Sequence, residues 1–178
     1  GDNSSNDCAT INQYGVGLGG NVATSGLGVS FPATQSASSD ANTLDDYEEG
    51  NWTPAFTFGG ATTGMTYVTQ TGKYTKIGRV VTIQCYVQFS NKGSATGSAL
   101  LTGLPFAAEN VSNSYTSVSI WTNNVSVGAG HYLSAYVGPN QNYITLYDVN
   151  GGNIVAQLSN AYFSNTSDLM VNFSYIAA

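Results

Sequence analysis

Residues able to do covalent chemistry are scarce in this chain, so their spacing is quickly tested. His131 is the sole histidine. Within one chain, imidazoles therefore build no metal cluster, and any Ser-His-Asp triad would have to run through His131. No serine sits in a Gly-X-Ser-X-Gly elbow, and Gly128-Ala129-Gly130-His131 reads as a turn. Asp45, Asp46, Glu48 and Glu49 offer paired carboxylates, as glycoside hydrolysis requires at separations of about 5–9.5 Å. A plainer account has Thr43 capping one helical turn over residues 44–49, with acids favoured in its first turn. Those acids would then pair across subunits with Lys73, Lys76 or Arg79. Asp148-Val149-Asn150-Gly151 opens like a calcium loop but lacks acids at the later ligand positions, so a hairpin turn is expected. Gly15-Val16-Gly17-Leu18-Gly19-Gly20 lacks the strand and helix of a dinucleotide loop. No catalytic residue, metal site or cofactor is expected.

The aromatics are the richer signal. Twelve tyrosines stand in a chain of 178 residues with only 8% charged residues, far below the usual quarter. The exterior must therefore consist of Ser, Thr, Asn, Gln and Tyr, a surface suited to neutral polar ligands and to subunit packing. An aromatic ring offers a flat apolar face to the C–H side of a sugar, and neighbouring amides and hydroxyls bind its OH groups. Alternation places Tyr115 and Trp121 on one strand face, Tyr132 and Tyr136 on another, and Tyr143 and Tyr147 on a third. These six are the candidate ligand-binding residues. For any single tyrosine, packing between sheets or subunits competes with that role.

A net charge of −6 with four basic residues argues against nucleic acid. Cys8 and Cys85 give no disulfide framework or metal spacing. No apolar run approaches the ~20 residues of a membrane helix, so no membrane insertion is expected.

The elements that must position these residues are strands. Val81, Ile83, Cys85, Val87 and Phe89 share one face; Thr82, Gln84, Tyr86 and Gln88 share the other. Similar alternation marks Phe56–Phe58, Met65–Thr71, Ser98–Thr102, Ser114–Thr122, Tyr132–Val137, Tyr143–Val149, Ile154–Leu158 and Leu169–Tyr175. Asn150-Gly151-Gly152-Asn153 supplies the residues of a hairpin turn. The expected fold class is all-β: an antiparallel, jelly-roll-like β-sandwich over residues 43–178. An extended Gly-rich connector or stem over residues 1–42 precedes it. Val16, Leu18, Val22, Leu27 and Val29 are too sparse there for one chain to fold alone. Three chains wound about a common axis would bury them, against the alternative of a disordered linker.

Between the two regions lies Thr43-Leu44-Asp45-Asp46-Tyr47-Glu48-Glu49-Gly50-Asn51-Trp52-Thr53-Pro54. Preceded by Val29-Ser30-Phe31-Pro32-Ala33-Thr34-Gln35, it resembles the head junction of tail-fibre and tailspike proteins of tailed bacteriophages. Gly72 to Thr82, Gly103-Leu104-Pro105-Phe106 and the final Tyr175-Ile176-Ala177-Ala178 are similar to later segments of the same family. Asn110–Asp168 matches only in general character. The resemblance makes Asp45, Asp46, Tyr47, Glu48 and Trp52 a structural junction. It implies a homotrimeric virion component, made in the bacterial host cytoplasm, that binds bacterial surface polysaccharide (lipopolysaccharide, O-antigen or capsule). The alternative is a trimerisation or folding head without a ligand. A polysaccharide-degrading enzyme ranks below both, because the cutting site of such proteins usually lies in a long upstream β-helix.

Overall fold

The computed structural model describes residues 9–19, 22, 24, 26–32, 34, 40 and 42–178. Cys8, and parts of the connector expected over residues 1–42, lie outside them. The chain divides into two compact units: residues 1–48 with 76–79, and residues 49–75 with 80–178.

The first unit contains a three-stranded sheet of β1 (Ala9–Asn12), β2 (Gly15–Leu18) and β3 (Gly28–Ser30). β1 and β2 run antiparallel, and β3 runs parallel to β2. Gly15 has φ +130°, and a Cβ there would lie 2.0 Å from the Gly28 carbonyl oxygen, so only glycine lets these strands meet. The sheet leaves Ile11 81% and Leu27 90% exposed. Asp46 and Lys76 form an ion pair whose side chains are each only 5% exposed, and the Gly78 N–H donates to the Asp46 carbonyl at 2.8 Å.

The second unit is a β-sandwich. One sheet has the order β10 (Ser119–Val125), β14 (Phe163–Ile176), β7 (Val80–Lys92), β6 (Met65–Ile77) and β4 (Tyr47–Trp52). The other has the order β5 (Ala55–Phe58), β8 (Ala99–Thr102), β12 (Tyr143–Asn150), β11 (His131–Val137) and β9 (Thr116–Ser117), with β13 (Asn153–Gln157) also paired to β12. Pairing across these sheets is antiparallel wherever a register is defined. The chain changes sheet at six of the ten connections from β4 to β14, while β6–β7, β8–β9, β11–β12 and β12–β13 each stay within one sheet. Among the described residues the only helical element is a 3₁₀ turn, Asn160–Tyr162, capped by Ser159.

Both sheets turn alternate apolar residues inward, as their period of two dictates. Phe56 and Phe58 from one sheet meet Phe89 and Phe163 from the other, with ring centroids 5.1–6.2 Å apart. That separation suits tilted and edge-on aromatic packing. Cys85 packs in this core as a small apolar side chain, and burial pushes its thiol up to about 12.

The helical turn expected over residues 44–49 does not form. Residues 43–46 are irregular, and β4 begins at Tyr47. Two glycine–aromatic pairs between β4 and β6 give the physical reason. A Cβ at Gly50 would lie 2.6 Å from the Tyr74 ring, and one at Gly72 would lie 2.4 Å from the Trp52 indole nitrogen. Each ring thus covers a glycine across the ladder, a contact that requires extended backbone. β6 also continues beyond the expected Thr71 to Ile77; its inward positions shift parity between Tyr67 and Gly72, which breaks the simple alternation there. Ser114–Thr122 is two strands, not one: β9 and β10 belong to different sheets, and buried Val118 marks the crossing.

Candidate outer-face sites of the sandwich

The six aromatic candidates fall into two groups. Tyr132 and Tyr136 of β11, with Tyr143 and Tyr147 of β12, occupy the non-core positions of the six-stranded sheet. Tyr115 joins them, since its ring meets Tyr136 edge-on at 5.6 Å. Tyr136 and Tyr147 stack at 5.5 Å with an interplanar angle of 11°, and their hydroxyls lie 3.2 Å apart. That hydrogen bond, with partial burial and the neighbouring phenol, raises the Tyr136 pKa above its ordinary value. Tyr115 is 62% and Tyr132 51% exposed. The result is a tyrosine ladder with wet outer rings.

Trp121 lies elsewhere. The sheet change at Val118 preserves the alternation of side chains but puts Trp121 on the outer face of the five-stranded sheet, away from Tyr115. There it stands opposite Met170, which stands opposite Tyr86. The next row is Ser119, Asn172 and Gln84; on the other side, Asn123 faces Asp168 and Asp168 faces Gln88. The Asn123 amide donates to Asp168 at 3.2 Å. Directly opposed side chains on one face have Cβ atoms about 4.5–5.5 Å apart, so each row is continuous. An aromatic–thioether stripe thus runs between two amide-bearing rows.

This face is concave. One depression of about 470 Å³ is lined by Lys73, Gln84, Tyr86, Trp121, Met170 and Asn172, with Cys85 and Val171 at its floor. A second, of about 810 Å³, shares Lys73, Gln84 and Asn172 and extends to Glu49, Thr82 and Ser174. Both volumes fall within the span of small-ligand sites, about 300–1,000 Å³. Sequence alternation marked Trp121 but missed Gln84, Met170 and Asn172. Their approach depends on which strands become neighbours, and β14 is about 80 residues from β7 in the chain.

The junction residues have separate environments. Asp46 is buried against Lys76, Asp45 and Glu48 are half-buried, Tyr47 is exposed with its ring 6.4 Å from Phe31, and Trp52 is in the core. Glu48 and Glu49 are successive strand residues and point to opposite faces. His131 is held rather than loose. Its Nδ1 is 2.8 Å from the buried Asp148 carboxylate and its Nε2 is 3.0 Å from the Asn150 amide nitrogen. A neutral ring donating from Nδ1 and accepting at Nε2 satisfies both contacts. Among the described residues, no three His, Cys, Asp or Glu side chains gather as a metal set, and no helix is long and apolar enough to cross a membrane.

No protein-family model matches the sequence, and no curated protein matches it. Among solved structures, the chain is similar to the Dettilon tailspike protein (gp208). The TM-score is 0.60, with 18% identity over 74% of this chain. The match spans 24% of the length of that tailspike. At this identity the likeness establishes a shared fold: the chain has a tailspike-like β-sandwich.

Proposed function

We propose that this chain is a receptor-binding part of a phage tail, attaching the virion to its host through a bacterial surface glycan. The observation that carries this reading is the pair of outer faces on a tailspike-like sandwich, where exposed aromatics stand beside amides and hydroxyls with few charges. Such a face binds a sugar without covalent chemistry: rings stack on C–H surfaces, and Asn, Gln, Ser and Thr exchange hydrogen bonds with hydroxyls. Individual contacts of this kind are weak. A homotrimer presents three copies to a repetitive surface and gains by effective concentration. Lipopolysaccharide, O-antigen and capsule all offer the required chemistry.

The test is binding of the chain to host cells before and after their surface polysaccharide is removed. Attachment that disappears with the polysaccharide is expected; attachment that survives refutes the glycan reading. Light scattering at micromolar concentration checks the trimer, and a monomer mass overturns it. A second reading, a trimerisation head with no ligand, draws support from the exposed Ile11, Leu27, Val29 and Leu44 of the first unit. It predicts the trimer mass with no cell binding.

A further inference from the structure

We infer that the concave face of the five-stranded sheet, rather than the tyrosine ladder, is the sugar-selecting site, and that it takes a hexuronate unit of an acidic glycan. This rests on the proposed glycan reading and names the site and substrate class within it. Charge is the first ground. The chain carries ten acidic and four basic residues, yet the lining of the smaller depression contains Lys73 and no acid. Lys73 is exposed and also lines the adjoining depression, at whose far side Glu49 is the one acid. Its ammonium is thus available to a ligand anion within a surface that otherwise repels one.

The second ground is the spatial order of the other groups. Trp121 is 53% exposed. It shares its cross-strand row with Met170 and Tyr86, giving a platform for one ring face. Gln84 and Asn172 are opposed in the next row, and they line both depressions together with Lys73. A pyranose ring over the Met170–Tyr86 end of that platform, with Trp121 flanking it, would meet Gln84 and Asn172 along one edge, and Lys73 on the next strand would face a C6 carboxylate. Neutral sugars satisfy the platform and the amides but leave the cation unused. The tyrosine ladder has no comparable cluster: Tyr136 and Tyr147 already pair their hydroxyls with each other.

The experiment titrates the whole chain with methyl β-glucuronide and, in parallel, methyl β-glucoside, reading tryptophan fluorescence. Trp52 is buried and Trp121 half-exposed, so changes on ligand addition or acrylamide quenching report mainly on Trp121. Saturable binding of the glucuronide at least about fivefold tighter than the glucoside is expected, the order of one exposed charge-assisted contact. Lys73→Gln should remove that preference while leaving weak binding of both sugars. Trp121→Ala, followed by calorimetry, should abolish both, with an unchanged circular dichroism spectrum showing that the fold survives. Equal affinity for the two sugars, or a preference that persists in Lys73→Gln, overturns the inference. So does a Trp121 shielded from acrylamide in the native assembly, because a second copy would then cover the face. Cell attachment that continues without any glucuronide response sinks this inference alone. Loss of polysaccharide-dependent attachment altogether sinks the function on which it rests.

Discussion

Ile11, Leu27, Val29 and Leu44 stand out into solvent in the first unit, whereas Phe56, Phe58, Phe89 and Phe163 in the sandwich are almost wholly enclosed by one another and their neighbours. The sandwich completes its core from its own residues. Among the described residues, the first unit has instead a small sheet and the enclosed Asp46–Lys76 ion pair, and it leaves Ile11, Leu27, Val29 and Leu44 exposed. Hydrophobic burial at about 25 cal/mol per Å² thus stabilises the second unit within a single chain, and the described residues of the first collect less of that gain. The contrast separates what folds the polypeptide from what the proposed trimer would use.

The largest expected effect tests that separation directly. Phe56→Ala should cost the sandwich about 3–5 kcal/mol in urea unfolding. Leu27→Ala should change the same transition by no more than about 0.5 kcal/mol, while lowering the mass of the proposed trimer on dilution. Equal losses of sandwich stability from both substitutions would erase the distinction. Next comes the ion pair. Asp46→Asn leaves the Lys76 charge enclosed and unpaired, at a cost of about 3–5 kcal/mol local to the first unit. Faster amide exchange at Gly78, whose N–H donates to Asp46, is the readout. Asp46→Leu combined with Lys76→Met should recover most of the loss, and failure to recover would show that the charge was not the cause.

Alkali should weaken the sandwich. Burial pushes the Tyr175 phenol from 10.0 up to about 12, so the unfolded chain loses this proton first. Stability is then fully present below pH 10 and falls by about 2–3 kcal/mol as pH rises to 12. Cys85, also raised to about 12, starts a similar decline near pH 9. Melting temperatures recorded from pH 8 to 12 should show the fall, with Tyr175→Phe flattening its upper part and Cys85→Ala its onset. A flat profile in the parent chain would contradict the burial argument. Smallest is Gly72→Ala, where the new methyl meets the Trp52 indole. A loss of about 1–3 kcal/mol is expected in chemical denaturation, and a neutral outcome would mean that the indole is not seated on the glycine.

Legibility in the sequence followed how local each determinant was. Val81–Phe89 announced itself because one strand carries its own alternation, and Asn150-Gly151-Gly152-Asn153 did so because Gly151 and Gly152 take positive φ. The stretch from Thr43 to Glu49 misled because a capping threonine followed by acids looks the same whether it opens a helix or leads into a strand. What decides is Tyr74 and Trp52 lying over glycines of the opposing strand, a non-local fact. The change of sheet at Val118 was invisible for a related reason: side chains keep alternating through it, so Tyr115 and Trp121 looked like neighbours. Of the candidate sites, the tyrosines of β11 and β12 were readable from adjacent strands of a short hairpin. The concave face joins β6, β7, β10 and β14, and only tertiary pairing brings those together.

β14 pairs with β7 from Asp168 opposite Gln88 to Ile176 opposite Val80, and it holds β10 on its other side. A strand at sequence positions 163–176 is therefore an interior plank of its sheet rather than an edge. During synthesis the ribosome must release nearly all of residues 1–176 before that plank can be laid. Until then β7 and β10 each present an open hydrogen-bonding edge on a nascent chain, a state prone to wrong partners. Such dependence on late, distant pairing makes for slow maturation. Agents that shield exposed strand edges during translation should accordingly raise the yield of this polypeptide more than those that act after release.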